Sequence, residues 1–151
     1  MDATPTLEDA LILAATAHRG QIDKAGKPYV LHPIRVMLRV ESLEERITAL
    51  LHDIVEDTPV TFDELRGMGY SDTIMEALDG VTHRAGESYE EFVERSGRHP
   101  VARAVKLADL ADNMDLTRLP NITDKDRARL VKYEAAVARL TGYPAAGDAH
   151  E

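Results

Sequence analysis

Apolar residues recur along this chain at spacings of three and four, in blocks separated by short polar stretches, and alternating apolar and polar runs are scarce. That periodicity predicts helices rather than strands. Capping patterns mark where the helices begin. Thr6-Leu-Glu-Asp9 resembles a capping box with Asp in the usual place of Glu, and it opens a helix running to about Gly20. A polar loop, QIDKAGKP, leads into a second helix that carries Ile34, Val36, Met37, Leu38 and Val40. Ser42-Leu-Glu-Glu45 is a full box and predicts one helix through ERITALLHDIVED. Thr61-Phe-Asp-Glu64 opens a short helix closed by Gly67 or Gly69, Ser71 caps SDTIMEALDGV, and Ser88-Tyr-Glu-Glu91 is a further box. Pro100 suits the first turn of PVARAVKLADLADNMDL, and Thr123 caps DKDRARLVKYEAAVARL before Gly142 stops it. The expected fold class is all-α, a compact bundle of about six to eight helices.

Length and composition narrow this further. The 151 residues, 44% of them hydrophobic, suit one domain over residues 1–151, with the small, polar segment 143–151 expected to fray. No run approaches the ~20 apolar residues of a membrane span, and MDATPTLEDA lacks a basic stretch followed by an apolar one. A cytoplasmic protein with no membrane partner is expected, as a monomer or small homo-oligomer. The absence of cysteine excludes disulfides, thiol nucleophiles and thiolate metal sites, so any metal must be held by imidazole and carboxylate. A net charge of −9 argues against a polymeric nucleic acid partner, which would need clustered Lys and Arg. A small anionic ligand remains compatible, because a metal and a few local cations can hold a phosphate in an acidic protein.

The candidate chemistry lies in LLHDIVEDTPVT, residues 50 to 61, where an apolar stripe of Leu50, Leu51, Ile54 and Val55 shares its turns with His52, Asp53, Glu56 and Asp57. Adjacent helical side chains diverge by about 100°, yet His52 and Asp53 can both reach a point between their directions. His32, at the start of an apolar helix, and Asp109, after the apolar run from Val105 to Ala108, are candidates to join them. Unpaired buried charges cost several kcal/mol each, roughly, and a shared divalent cation would offset that cost for all four. Separate buried ion pairs, such as Asp109 with Arg103 or Lys106, explain the same residues equally well. Of the other histidines, His18 reads as a packing or loop-anchoring residue, and His83, His99 and His150 read as structural or solvent-exposed.

The H…HD…D constellation resembles the HD superfamily of metal-dependent phosphohydrolases. AHRGQIDKAGKPYVLHPIRV, ALLHDIVEDTPVTFDEL and VKLADLADNM look like the hydrolase domain of the RelA/SpoT alarmone enzymes, and most of all like the stand-alone small alarmone hydrolases that include the metazoan SpoT homologues. The likeness runs over roughly residues 8 to 140. It implies an HD-domain helical bundle with His32, His52, Asp53 and Asp109 as ligands to Mn²⁺, with Fe, Co, Zn or Mg as alternatives. It implies that Glu56 and Asp57, four residues after His52 and Asp53, handle the hydrolytic water. Lys24, Asn113, Arg129 and Tyr133 match substrate-contacting positions. The implied reaction releases the 3′-pyrophosphate of a guanosine alarmone, (p)ppGpp, as part of the stringent response.

Two positions depart from the family pattern. Asp23 replaces an arginine that usually stacks on the guanine base, and Leu116 replaces a small hydroxyl residue. An aspartate cannot stack as a guanidinium does. Three readings follow: a (p)ppGpp hydrolase that holds the base by other contacts, a hydrolase of a related nucleotide such as (p)ppApp or NADPH, and a non-catalytic nucleotide-binding regulatory module. The intact HDxxED pair argues against the last.

Overall fold

The computed structural model describes residues 4–142, so the segment 143–151, with His150, lies outside the described residues. The chain winds through α1 (Leu7–Ala17), α2 (Leu31–Leu38), α3 (Leu43–Leu51), α4 (Ile54–Asp57), α5 (Phe62–Gly67), α6 (Asp72–Val81), α7 (Tyr89–Gly97), α8 (Pro100–Asn113), a 3₁₀ turn (Leu116–Arg118) and α9 (Asp124–Thr141). Among the described residues there is no strand, only an isolated bridge between Ile22 and Pro28 across the loop after α1. No described helix is long and apolar enough to cross a membrane.

The helix starts follow the capping chemistry. Thr6, Ser42, Thr61, Ser88 and Thr123 each accept from the N3 amide while the N3 carboxylate accepts from the cap amide. Ser71 caps α6 through the Ile74 amide. His99, which the sequence left without a task, caps α8 by accepting from the Ala102 amide at Nδ1.

One expectation fails at an informative place. The helix predicted to run unbroken through ERITALLHDIVED stops at Leu51, and α4 restarts at Ile54. At the break the His52 amide reaches back only three residues, to the Ala49 carbonyl, a tightened turn of 3₁₀ type. Asp53 then sits at φ −103°, ψ 0°. His52 Nδ1 donates to the same Ala49 carbonyl at 2.7 Å, which holds the ring against the helix end. Glu56 and Asp57 therefore belong to a separate four-residue helix, not to a further turn of the one that ends before His52.

The core gathers around α3, which packs against α1, α2, α6 and α8. Ile47, Leu50 and Leu51 of α3 meet Val36 of α2, Leu78 of α6 and Val105 of α8 in one cluster, all essentially buried. Each such side chain contributes roughly 1.5–3 kcal/mol by leaving water. A smaller cluster of Val93, Leu110, Ala136 and Leu140 ties α7 and α9 to α8. Helix α8 thus contributes to both clusters, and the packing on either side fixes its rotation and the direction of Asp109.

The approach of α6 to α8 depends on Gly80, where an added Cβ would stand 2.8 Å from the Ala102 Cβ. Gly80→Ala is expected to destabilise the fold by about 1–3 kcal/mol through overpacking. Urea titration followed by circular dichroism checks this, and an unchanged midpoint would mean that α6 and α8 separate without cost.

Candidate active site

His32 stands in the first turn of α2, His52 and Asp53 at the break between α3 and α4, and Asp109 on α8. The fold brings all four together. His32 Nε2 lies 2.9 Å from Asp109 Oδ1 and 3.7 Å from Asp53 Oδ2. His52 Nε2 lies 3.2 Å from Asp109 Oδ1 and 3.1 Å from Asp53 Oδ2. Ligand atoms of His32, His52 and Asp109 all fall within 4.8 Å of one another, so these residues could hold a metal ion. The break in the helix is what turns Asp53 and His52 toward a common point.

Second contacts fix the ligand atoms. His32 Nδ1 bonds Asp112 Oδ2 at 2.7 Å, and His52 Nδ1 bonds a carbonyl, so each ring presents its Nε2 to the carboxylates. A ring nitrogen that donates to a fixed acceptor leaves the other nitrogen's lone pair for a cation, the usual arrangement around metal-bound histidine. Asp112, three residues after Asp109, is fully buried and also accepts Arg35 Nε at 2.8 Å. Burial alone would raise its carboxyl, but the bonds from His32 and Arg35 outweigh that and hold it well below the usual range. The Tyr29 hydroxyl donates to Asp53, and Asp109 accepts from Lys106 Nζ and Asn113 Nδ2, both at 3.1 Å. The ion pair with Lys106 and the shared cluster therefore coexist at Asp109.

The donor set fits a divalent cation. Burial favours the neutral imidazole at His32 and His52, whereas the flanking aspartates push both above their ordinary value. Two carboxylates against two imidazoles in a buried place call for positive charge, whether from protons or from a metal. Imidazole nitrogen with carboxylate oxygen suits first-row divalent ions.

Glu56 and Asp57 reach solvent on one side only, and partial desolvation, with the charge of Asp53, raises both carboxyls, against the His83 amide in the case of Glu56. Glu56 is pinned from another element. Its Oε1 accepts the His83 amide at 2.6 Å, in the loop between α6 and α7. Arg95 braces that loop by donating to the Asp79 and Thr82 carbonyls and, through Nε and NH2, to both oxygens of Glu87. The His83 ring closes the circuit onto the Glu87 carbonyl. Asp57 is held through Gln21, whose Nε2 donates to the Asp57 carbonyl while its Oε1 faces His18 Nδ1 at 2.9 Å. His18 thus anchors a loop, as the sequence suggested.

A cavity of about 480 Å³ opens beside the cluster. Its lining includes Lys24, Asn113, Arg129 and Tyr133 together with His32, Asp53 and Asp109, so the residues expected to contact substrate share one space. Glu56 and Asp57 are not among that lining. Lys24 and Arg129 each stand 3.5 Å from the buried Asp126. Asp23 has another occupation: its Oδ1 accepts the Ala25 and Lys27 amides, both at 2.9 Å, in a turn completed by Gly26 at φ +80°. Leu116 lines the same cavity.

Known proteins are similar to this chain in sequence and in fold. The guanosine-3′,5′-bis(diphosphate) 3′-pyrophosphohydrolase MESH1 of Danio rerio is 37% identical over 131 residues, 77% of this chain and 72% of that protein. The chain belongs to this pyrophosphohydrolase family. A solved structure of a metazoan ortholog of SpoT, described as hydrolysing ppGpp with a role in starvation responses, superposes with a TM-score of 0.77 at 26% identity, over 94% of this chain and 89% of that one. The family's pyrophosphohydrolase from Aquifex aeolicus is 30% identical over 120 residues, and the bifunctional (p)ppGpp synthase/hydrolase SpoT of Escherichia coli 27% over 128. This chain spans 17% and 18% of the length of those two relatives. No family model matches the chain.

Asp112, Tyr29 and Arg35 are among the site residues that the sequence did not single out. Asp112 left a trace, since the i,i+3 spacing puts it on the Asp109 side of α8. Tyr29 and Arg35 acquire their partners only through contacts with distant segments. As a positioning residue, Asp112 makes a specific forecast: Asp112→Ala should weaken binding of a divalent cation, with Mn²⁺ as the probe, by about 10–100-fold, with the helical spectrum retained. Titration followed by electron paramagnetic resonance reads the free ion, and unchanged affinity would remove Asp112 from the site.

The Glu56 brace makes another. Glu87 is held down to about 2, chiefly by the Arg95 hydrogen bonds. Its contribution to stability is therefore fully present above the ordinary glutamate value and disappears as pH falls from there toward about 2. Glu87→Gln should cost about 1.5–3 kcal/mol at pH 7 and progressively less in acid, read by denaturation of both proteins across that window. A cost that does not shrink with pH would place the stabilisation elsewhere.

Proposed function

We propose that this chain is a Mn²⁺-dependent hydrolase, one domain over residues 1–151, that removes the 3′-pyrophosphate of (p)ppGpp. We place it in the cytoplasm as a monomer or small homo-oligomer. The observation that carries this reading is the pair of histidines whose Nδ1 atoms are both engaged, so that both Nε2 atoms face Asp53 and Asp109. Family membership supports the same chemistry.

In this reading His32, His52, Asp53 and Asp109 hold the ion, with Fe, Co, Zn or Mg as alternatives. A divalent cation there would lower the pKa of water and withdraw charge from a phosphate oxygen. The chain's own groups supply the remainder. Lys24 and Arg129 bind the pyrophosphate, and Asn113 and Tyr133 orient the nucleotide against the cluster. Water attacks the phosphorus that carries the 3′ ester, and the bond to the ribose oxygen breaks. Glu56 or Asp57, whose raised carboxyls are better proton acceptors than ordinary surface acids, takes the proton from that water. The ribose 3′-oxygen leaves and takes up that proton, which returns the carboxylate to its ionised form and gives GDP or GTP and pyrophosphate.

The turn at Asp23 favours a second reading with relaxed base choice. The carboxylate is consumed by two backbone amides, and no guanidinium stands at that position to stack on guanine. Related nucleotides, (p)ppApp or NADPH, then become substrates of the same centre.

The two enzyme readings and a non-catalytic binding module separate in one experiment. Metal-loaded protein is given ppGpp, ppApp, NADPH and nucleoside monophosphates, and release of pyrophosphate or phosphate is followed. Turnover of ppGpp supports the first reading, and turnover of ppApp or NADPH alone supports the second. No turnover of any would leave the binding module. The double variant Glu56→Ala, Asp57→Ala should keep its Mn²⁺ and lose at least about 100-fold in rate, the scale of general acid–base catalysis. Loss of metal from that variant would show that the roles are misassigned.

A further inference from the structure

Two pairs of cations line the cavity, and each pair is bridged by one buried carboxylate. Lys24 and Arg129 meet at Asp126, as described. Arg35 and Arg118 meet at Asp112, with Arg35 Nε at 2.8 Å from Oδ1 and Arg118 NH2 at 3.5 Å from Oδ2. The first pair stands where family resemblance points to substrate. The second pair has so far only the task of holding Asp112.

That task uses a small part of what the pair offers. The Asp112 side chain is wholly buried, whereas those of Arg35 and Arg118 keep 28% and 33% exposure on the cavity wall. Arg35 commits only Nε, and its two terminal amino groups have no partner among the described residues. Arg118 is steadied by Asp115 at 3.2 Å and by the Asp112 carbonyl at 3.2 Å. The carboxylate is buried, and both arginines belong to the cavity lining. A guanidinium pinned along one edge, with its fork open, is matched in geometry and charge by a phosphate. Arg35 also follows His32 by three residues on α2, so the fork stands one turn from the metal-facing ring. Arg35 and Arg118 are balanced in formal charge by Asp112 and Asp115, so binding there depends on directed N–H groups more than on a long-range field.

We propose that Arg35, with Arg118 beside it, is a second phosphate subsite, which takes the 5′-phosphate end of a nucleotide whose 3′-phosphoryl end lies at the His–Asp cluster. This rests on the reading of the site as a nucleotide hydrolase and deepens it. The preferred substrates carry phosphate on both sides of the ribose, whatever the base. Base choice is weak at the Asp23 turn, so recognition is displaced from the base to the second phosphate.

The test is binding of GDP and of guanosine to Mn²⁺-loaded protein by isothermal titration, in the wild type, Arg35→Ala and Arg35→Lys, with Mn²⁺ affinity measured for each. The wild type should bind GDP at least about tenfold more tightly than guanosine, the scale of one charge-assisted hydrogen-bond pair. Arg35→Ala should erase that difference while guanosine affinity, measured at saturating Mn²⁺, stays within about threefold. Arg35→Lys, which keeps the charge and loses the fork, should restore part of it. An undiminished GDP preference in Arg35→Ala overturns the subsite. Parallel loss of guanosine and Mn²⁺ affinity also overturns it, because Arg35 would then act only through Asp112 and His32. Both outcomes are distinct from failure of the hydrolase reading, which is decided by turnover in the wild type.

Discussion

The rest of the site depends on where two imidazole rings send their protons. His32 gives Nδ1 to Asp112 and His52 gives Nδ1 to the Ala49 carbonyl, so both Nε2 atoms converge on Asp53 and Asp109. Two carboxylates brought that close in a buried place repel each other unless positive charge stands between them. The four residues are thereby committed to sharing a cation or protons, and the elements around them are arranged to meet that demand. Lys106 supplies a buried ammonium to Asp109, the Tyr29 hydroxyl steadies Asp53, and Arg35 with Arg118 holds Asp112.

The fold serves this commitment through α3 and α8. Their apolar faces are anchored in the main cluster, and α8 is gripped a second time by α7 and α9. A side chain on so restrained a helix has few directions available, which is how Asp109 and Asn113 are aimed without strain in their own turns. The break at His52–Asp53 is the complementary device. A straight helix would splay neighbouring side chains by about 100°, and the tightened turn instead brings an imidazole and a carboxylate to 3.1 Å.

The acidic pair beyond the break is controlled from elsewhere. Glu56 is held by a backbone amide from the α6–α7 loop, and Asp57 through a glutamine that leans on His18. The two residues are therefore braced from outside the four-residue cluster, Glu56 at its carboxylate and Asp57 at its main-chain carbonyl. Their positions depend on Arg95, Glu87 and Gln21, none of which has an evident catalytic character of its own.

The sequence by itself determined the helical class, the helix starts and the identities of the four clustered residues, because capping and apolar periodicity are local and the HD pattern is short. The boxes at Ser42, Thr61 and Ser88 form as their spacing requires. It also marked Asp23 as unusual, and the turn explains why: a short carboxylate that accepts two amides belongs there on conformational grounds. Tertiary structure alone decided four things. It broke the helix at His52, which propensity reads as continuous. It gave Asp112 to His32 across 80 positions of sequence, and it gave the His83 amide to Glu56 across 27. It also placed Arg35 in the cavity wall. Each of these depends on one element docking against another, and no periodicity along the chain encodes which buried polar group will meet which.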